Sequence, residues 1–177
     1  RVPSGPTNWT ELVGPDGTRL ANYRKTHLYG GFETASFTPG DQLVVQAELD
    51  GVRLGLLVCY DVEFPEAVRA HALAGTEVLL VPTALMRPYE FVAATLVPVR
   101  AWESQLFIAY ANRTGAEGEF DFAGLSALAA PDGTARIRAG SGETLLVGEA
   151  DPAELPAFRA QSPYLTDRRP ELYRAHV

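Results

Sequence analysis

Residues 54–66 read LGLLVCYDVEFPE, and the order of side chains in this stretch decides the fold class. The run from Leu54 to Cys59 is almost continuously apolar, which is typical of a strand that is covered on both faces. The run stops at Tyr60-Asp61, and Pro65 then begins a helical pattern that extends to Ala74. A buried strand, a short loop and a helix form the unit from which α/β sheets are built.

The same alternation continues along the chain. Residues 78–81 predict a second buried strand, and a helix is expected from about Tyr89 to Ser104, with a kink or a break at Pro98. Residues 106–111 predict a further strand. Strand and helix therefore alternate through the middle of the chain, and we predict an α/β fold with a mixed sheet.

Hairpins are predicted on both sides of this central region, because turn residues separate short apolar runs there. The expected pairs are residues 9–13 with 18–23, 42–49 with 52–59, and 125–130 with 135–138. Residues 143–149 predict one more strand, residues 152–160 a helix, and residues 161–177 a tail or arm with few apolar anchors. The sequence shows no internal repeat and no linker that would divide it.

Composition limits the possible functions. The chain has 177 residues, 46% of them hydrophobic, and a net charge of −7. A general affinity for nucleic acid or for an anionic membrane needs a basic face, so neither partner is expected. No apolar run approaches the roughly 20 residues of a membrane helix. One cysteine permits no internal disulfide and favours a cytoplasmic location.

The single cysteine, Cys59, occupies the end of the predicted strand in residues 54–59. A turn from strand to helix presents a side chain above the sheet edge and directs backbone N–H groups at it, which favours a thiolate and can bind an oxyanion. Free cysteines are also among the most buried residues, so simple packing is the alternative interpretation.

Basic partners for a nucleophile are few. Lys25 is the only lysine among 15 basic residues, and an ammonium beside a thiolate could stabilise an oxyanion, although a solvated charge is the common role. Glu33, in a glycine-rich loop, could anchor that ammonium, polarise a substrate N–H or lie on the surface. His27 could pair with Cys59, whereas His71 is expected to be a solvated or capping residue.

Acidic residues crowd the turn after Cys59, at Asp61, Glu63 and Glu66. Carboxylates near a helix N-terminus are commonly structural. No histidines accompany them in a ligand pattern, and no metal loop motif is present. We therefore expect no metal site and no cofactor.

Several blocks together resemble the carbon–nitrogen hydrolase, or nitrilase, superfamily, in that family's order and spacing. They are residues 23–28, Glu33, residues 37–41, residues 59–66, Arg69, residues 82–84, 100–103, 111–115 and 124–126, and residues 167–173. The resemblance implies an αββα sandwich and covers essentially the whole chain. Residues 86–89 and 97–103 are most similar to the aliphatic amidase branch.

The resemblance also implies roles for individual residues. Cys59 matches the nucleophile, Lys25 and the backbone N–H of Tyr60 match the oxyanion stabilisers, and Glu33 matches the second, substrate-orienting glutamate. Thr83, Ala84 and Met86 are expected to contact the substrate. The family's general-base glutamate precedes the lysine by a long segment, and Glu11 lies in no matching context. We therefore expect that base, with the first strands and helices of the sandwich, upstream of Arg1.

The predicted function is hydrolysis of a small aliphatic amide to a carboxylate and ammonia through a cysteine thioester. An N-carbamoyl amine hydrolase or a nitrilase of the same superfamily is the nearest alternative, and a non-catalytic fragment or interaction subunit is another. Residues 1–160 would form the C-terminal two-thirds of one domain, and residues 161–177 an arm. The expected partners are the amide substrate and a second copy, in a homodimer or a higher homo-oligomer.

Overall fold

A six-stranded mixed sheet carries the candidate site. The computed structural model describes residues 5–173. The strands of this sheet, in spatial order, are β10 Ala135–Arg138, β9 Ala127–Ala129, β6 Phe107–Asn112, β5 Val78–Thr83, β4 Val52–Leu56 and β3 Gln46–Leu49. The central strands β4, β5 and β6 are parallel. β3 pairs antiparallel with β4, β9 pairs antiparallel with β6, and β10 pairs antiparallel with β9. The predicted α/β class with a mixed sheet is confirmed.

Helices make the two crossovers between the parallel strands. Helix α2, Pro65–Leu73, joins β4 to β5, and helix α3, Val97–Ser104, joins β5 to β6. Both bury apolar side chains in the main core, among them Val68 and Val97, which have no exposed surface. Parallel strands need such crossovers, and the helices that make them cover the sheet face, which is why the central strands are almost entirely apolar.

Two small antiparallel hairpins complete the strands. One joins β1, Trp9–Val13, to β2, Arg19–Arg24, and confirms the first predicted hairpin. The other joins β7, Thr114–Glu117, to β8, Phe120–Ala123, in a region where no strands were predicted. Both hairpins border the cavity described below.

Pro98 does not break its helix. A π-helical segment, Val92–Leu96, immediately precedes α3 and continues into it. Proline lacks an N–H and its ring crowds the carbonyl four residues earlier, so a locally widened turn absorbs both defects. The expected break is therefore absent, and the π-helical turn leads into a continuous helical segment.

The strand predicted for residues 143–149 is wrong. The segment pairs with none of the strands in residues 5–173, and the side chains of Leu145 and Val147 are 86% and 80% exposed. Its apolar residues satisfy the strand pattern locally, but no sheet edge receives them. The following helical prediction is confirmed by a short 3₁₀ turn and α4, Leu155–Gln161.

The arm is mostly exposed after α4. It contains a short helix α5, Pro170–Tyr173, and the predicted tail beyond it, residues 174–177, lies outside the described residues. Helix α1, Gly30–Ser36, is also short and lies beside the cavity. None of the helices in residues 5–173 has the length and apolarity that crossing a bilayer requires.

His71 is buried, which corrects its expected place on the surface. Its side chain has no exposed area, and Nδ1 lies 3.0 Å from Thr76 Oγ1. The ring fills the space beside Gly55 of β4, where an added Cβ would lie 2.5 Å from Nδ1. Burial lowers the pKa of His71 to about 4.

Acidification should therefore destabilise the fold through His71. Its neutral form is kept in the folded state while the unfolded state binds a proton below about pH 6.5, so stability falls as the pH drops from 6.5 towards 4. A shift of this size corresponds to about 3 kcal/mol. Urea unfolding at a series of pH values should show a shallower decline for His71→Asn than for the wild type. Parallel declines in the two proteins would contradict this prediction.

Candidate active site

Cys59 lies where the chain leaves β4 and turns towards α2. It begins a 3₁₀ turn, Cys59–Glu63, and has a φ of 50°. A left-handed backbone at a non-glycine residue costs about 1 kcal/mol, so the surrounding structure must hold it in place. This conformation places a partly exposed thiol above the sheet edge. The predicted strand-to-helix turn is confirmed, although the strand itself ends at Leu56.

Opposing influences act on the thiol. Burial raises the pKa of Cys59 above its ordinary value, while the nearby Lys25 ammonium lowers it. The backbone N–H groups of Ala84 and Tyr60, which lie near the sulfur, also lower its pKa. The same cation and N–H groups that favour a thiolate can bind an oxyanion that forms beside the sulfur.

Lys25 and Glu33 form a buried ion pair. Lys25 is 1% exposed, and its Nζ lies 2.6 Å from Glu33 Oε2 and 2.8 Å from Oε1. The Glu33 carboxylate also accepts the backbone N–H of Tyr29 at 2.6 Å and the amide of Asn8 at 3.3 Å. A buried pair is stable only when further hydrogen bonds satisfy its charges, and Glu33 has them. The contact with Lys25 agrees with the predicted role of Glu33 in anchoring the ammonium.

A cavity of about 730 Å³ contains these groups. The predicted site residues all line it: Lys25, Glu33, Cys59, Tyr60, Thr83, Ala84 and Met86. They lie on α1, in the turn after β4, at the end of β5 and in the segments that follow β2 and β5, so only the folded chain brings them together. Aromatic side chains form much of the remaining wall: Trp9, Tyr29, Phe32, Tyr89, Phe120 and Phe122. Sequence reasoning did not select these aromatic residues, since they are scattered over the chain.

The buried carboxylate of Asp61 connects the two halves of the site. Oδ1 accepts the Thr26 hydroxyl and the His27 backbone N–H, both at 2.9 Å. Oδ2 accepts the Tyr23 hydroxyl at 2.9 Å and the Val58 backbone N–H at 3.1 Å. Asp61 thus joins the segment that follows Lys25 to the turn that carries Cys59. An acidic residue within an apolar buried stretch was the available signal for this role.

Neither His27 nor His71 pairs with Cys59. His27 Nδ1 lies 2.9 Å from Asp61 Oδ1, and its ring stacks on Phe64 with centroids 3.9 Å apart. His71 fills the space beside Gly55 instead. Within residues 5–173 no three His, Cys, Asp or Glu side chains are grouped to hold a metal ion.

Asn112 supports the opposite wall of the cavity. Its Oδ1 accepts the backbone N–H of Leu85 at 2.7 Å, and its Nδ2 donates to the carbonyl of Gly124 at 2.6 Å. These bonds fix Leu85 in the segment that follows β5, next to Ala84. The sequence resemblance included Asn112 but assigned it no role.

The sequence model of the carbon-nitrogen hydrolase family matches residues 6–160. The chain belongs to the carbon-nitrogen hydrolase family. The predicted family is therefore confirmed, and the matched range includes the ion pair, Cys59 and the cavity walls.

Curated relatives in this family are similar over almost the whole chain. The "Hydrolase in pqqF 5′region" of Pseudomonas protegens is 48% identical over 166 residues, which are 94% of this chain and 58% of that protein. The (R)-stereoselective amidase of a Pseudomonas species is 44% identical over 163 residues, which are 92% of this chain and 58% of that protein. The chain thus spans 58% of the length of these two relatives.

A solved structure of the amidase from Nesterenkonia sp. AN1 is similar in fold, with a TM-score of 0.86 and 42% identity. The match covers 96% of this chain and 61% of that one. That structure shows a variant with covalent addition of the acetamide moiety of fluoroacetamide at its active-site cysteine. Another structure of the same amidase is assigned to the nitrilase superfamily, so the predicted fold type is confirmed over the shared part.

Replacing Asp61 should loosen the site and the fold together. Asp61→Asn keeps the shape but removes the charge that four donors approach, and one amide nitrogen then faces donors rather than acceptors. We expect a loss of about 3 kcal/mol in the free energy of unfolding. Asp41→Asn, at an exposed position, should change it by less than about 0.5 kcal/mol. Urea unfolding measures both, and equal stabilities of the two variants would contradict the role of Asp61.

Proposed function

We propose that this chain supplies the nucleophile and the oxyanion site of an amidase that hydrolyses small aliphatic amides to carboxylates and ammonia. The observation that carries the proposal is the arrangement around Cys59. A thiol on a left-handed turn shares one cavity with the Lys25–Glu33 ion pair, and Tyr60 and Ala84, whose backbone N–H groups favour the thiolate, line the same cavity.

The proposed reaction has two acyl transfers. In the first, Cys59 Sγ forms a bond to the amide carbonyl carbon, and the resulting oxyanion is stabilised by Lys25 and the Tyr60 N–H. The C–N bond then breaks and ammonia leaves with the proton that came from the thiol. In the second, water adds to the thioester, and breakage of the C–S bond releases the carboxylic acid and restores the thiol.

Proton transfer in this scheme needs a base near the sulfur. Both oxygens of Glu33 are engaged by Lys25, so Glu33 is better suited to hold the ammonium and to orient the substrate N–H groups. We propose that the base is the glutamate that the family resemblance places upstream of Arg1. Splitting the base and the orienting carboxylate between two residues lets one move protons while the other stays charged.

The walls support a small acyl group whose carbon chain contacts apolar side chains. Much of the lining is aromatic or aliphatic, and the volume of about 730 Å³ suits a small molecule. The (R)-stereoselective amidase and the Nesterenkonia amidase among the relatives favour an amide over a nitrile. A carbamoyl amine hydrolase and a nitrilase stay the nearest alternatives, since relatives with those names also match.

Ammonia release by the full-length protein tests the proposal. The substrates are propionamide, a carbamoyl amine and a nitrile. Cys59→Ala should abolish ammonia release, and Lys25→Met should lower kcat by about 100-fold or more because one oxyanion donor is lost. Arg24→Met, which removes a neighbouring cation outside the cavity lining, should retain most of the activity.

Three results would contradict the proposal. Activity on the nitrile alone would favour a nitrilase, and undiminished ammonia release by Cys59→Ala would exclude the thioester. If the wild type releases no ammonia and its intact mass shows no acyl adduct with any of the amides, a non-catalytic role is favoured.

We also propose that the full-length protein is a homodimer or a higher homo-oligomer and that it acts in the cytoplasm. The arm after α4 carries large, half-exposed side chains, among them Tyr164, Leu172 and Tyr173. Trp102 Nε1 donates to the Tyr164 hydroxyl at 3.1 Å and holds the arm near α3. Sedimentation velocity should show an oligomer, and a stable monomer at micromolar concentration would exclude it.

A further inference from the structure

The charged groups of the cavity wall do not cancel. The lining residues include one lysine, Lys25, and two glutamates, Glu33 and Glu63. Lys25 is engaged by both oxygens of Glu33. The negative charge of Glu63 is therefore the part of the wall that the ion pair does not neutralise.

Hydrogen bonds hold the backbone of Glu63 and leave its carboxylate free to bind a ligand. Arg100 Nη2 donates to the Glu63 main-chain carbonyl at 2.7 Å, and Nε donates to the Val62 carbonyl at 3.2 Å. The remaining nitrogen of this guanidinium, Nη1, pairs with Glu103 at 2.8 Å. Within residues 5–173 no group donates a hydrogen bond to the Glu63 carboxylate or forms a salt bridge with it. The side chain is thus held at its base and available at its tip.

The setting of Glu63 favours a cationic ligand. Burial raises its pKa, although the charges of Arg100 and Lys25 partly oppose the rise. A carboxylate that its surroundings solvate poorly gains from a cation delivered by a ligand. Tyr29 and Tyr60 line the same cavity with their ring centroids 5.1 Å apart, and tyrosine rings also attract ammonium groups.

We infer that Glu63 selects, among amides, those whose acyl chain carries a positively charged amino group. This inference rests on the proposed function, since it names the substrate class of the same cavity. The carbonyl would lie at Cys59 and the ammonium at Glu63, four residues later on the same 3₁₀ turn. The distance between Cys59 and Glu63 on this turn determines how many carbon atoms can separate the substrate carbonyl from its ammonium group. One acyl chain length should therefore be preferred.

Paired substrates test the inference in the full-length protein. Each ω-amino amide, namely glycinamide, β-alaninamide and 4-aminobutanamide, is compared with the alkyl amide in which a methyl group replaces the ammonium, namely propionamide, butyramide and valeramide. We expect a kcat/KM at least about tenfold higher for the best amino amide than for its alkyl partner, about 1.4 kcal/mol. Glu63→Gln should lower kcat/KM for the amino amide and leave kcat/KM for the alkyl amide unchanged, so that the preference disappears.

A matched variant and a binding measurement complete the design. Glu66→Gln removes the same charge three residues away, at an exposed position outside this cavity, and should preserve the preference. Protection of Cys59 from iodoacetamide by n-butylammonium, compared with 1-butanol, reports binding without hydrolysis. The cation should protect the wild type better than the alcohol does, and this difference should disappear in Glu63→Gln.

The outcomes separate the inference from the proposed function. Hydrolysis of alkyl amides at rates equal to those of the amino amides overturns the inference and leaves the amidase intact, as does an equal loss on both substrates in Glu63→Gln. If no amide is hydrolysed, the proposed function fails, and the protection experiment alone then decides whether Glu63 binds a cation. Equal protection by n-butylammonium and 1-butanol overturns the inference in that case.

Discussion

One buried carboxylate holds the site together. Asp61 has no exposed surface and accepts hydrogen bonds from the segment after β2 and from the turn after β4. Charged acceptors form the stronger hydrogen bonds, and leaving their donors unpaired in the interior is costly. The positions of Lys25 and Cys59 relative to each other therefore depend on a residue that does not line the cavity. A residue behind the cavity wall thus fixes the positions of the groups that line it.

The Lys25–Glu33 ion pair keeps a positive charge near the thiol. An ammonium near a thiol has to stay charged while it is shielded from water, and burial alone would oppose that charge. Glu33 compensates Lys25 at 2.6 Å and is itself held by Tyr29 and Asn8. The cavity thus keeps a fixed cation beside the sulfur with little net charge there. Glu63, farther along the same turn, is left as the uncompensated charge of the wall.

Local sequence patterns predicted most of the fold, because hydrophobic periodicity and turn residues determine structure over a few neighbouring positions. The strands around Asp50-Gly51 and the helix after Pro65 were predicted in this way. The family resemblance selected Cys59, Lys25 and Glu33, which the structure places in one cavity. Asp61 was not identified as a connector because its partners meet only in the tertiary fold. Residues 143–149 have a strand pattern, but a strand there would need a free sheet edge to pair with. The local sequence does not show whether such an edge is present.

The contact between Gly55 and His71 has an evolutionary consequence. The imidazole lies where the Cβ of any other residue at position 55 would be, at 2.5 Å from Nδ1, and the Thr76 methyl is only 2.8 Å away. A larger residue at position 55 therefore requires a smaller one at position 71 and a shift of the Thr76 side chain. Homologous chains should show these two positions as a covarying pair, with alanine or serine at position 55 accompanying a reduced side chain at position 71.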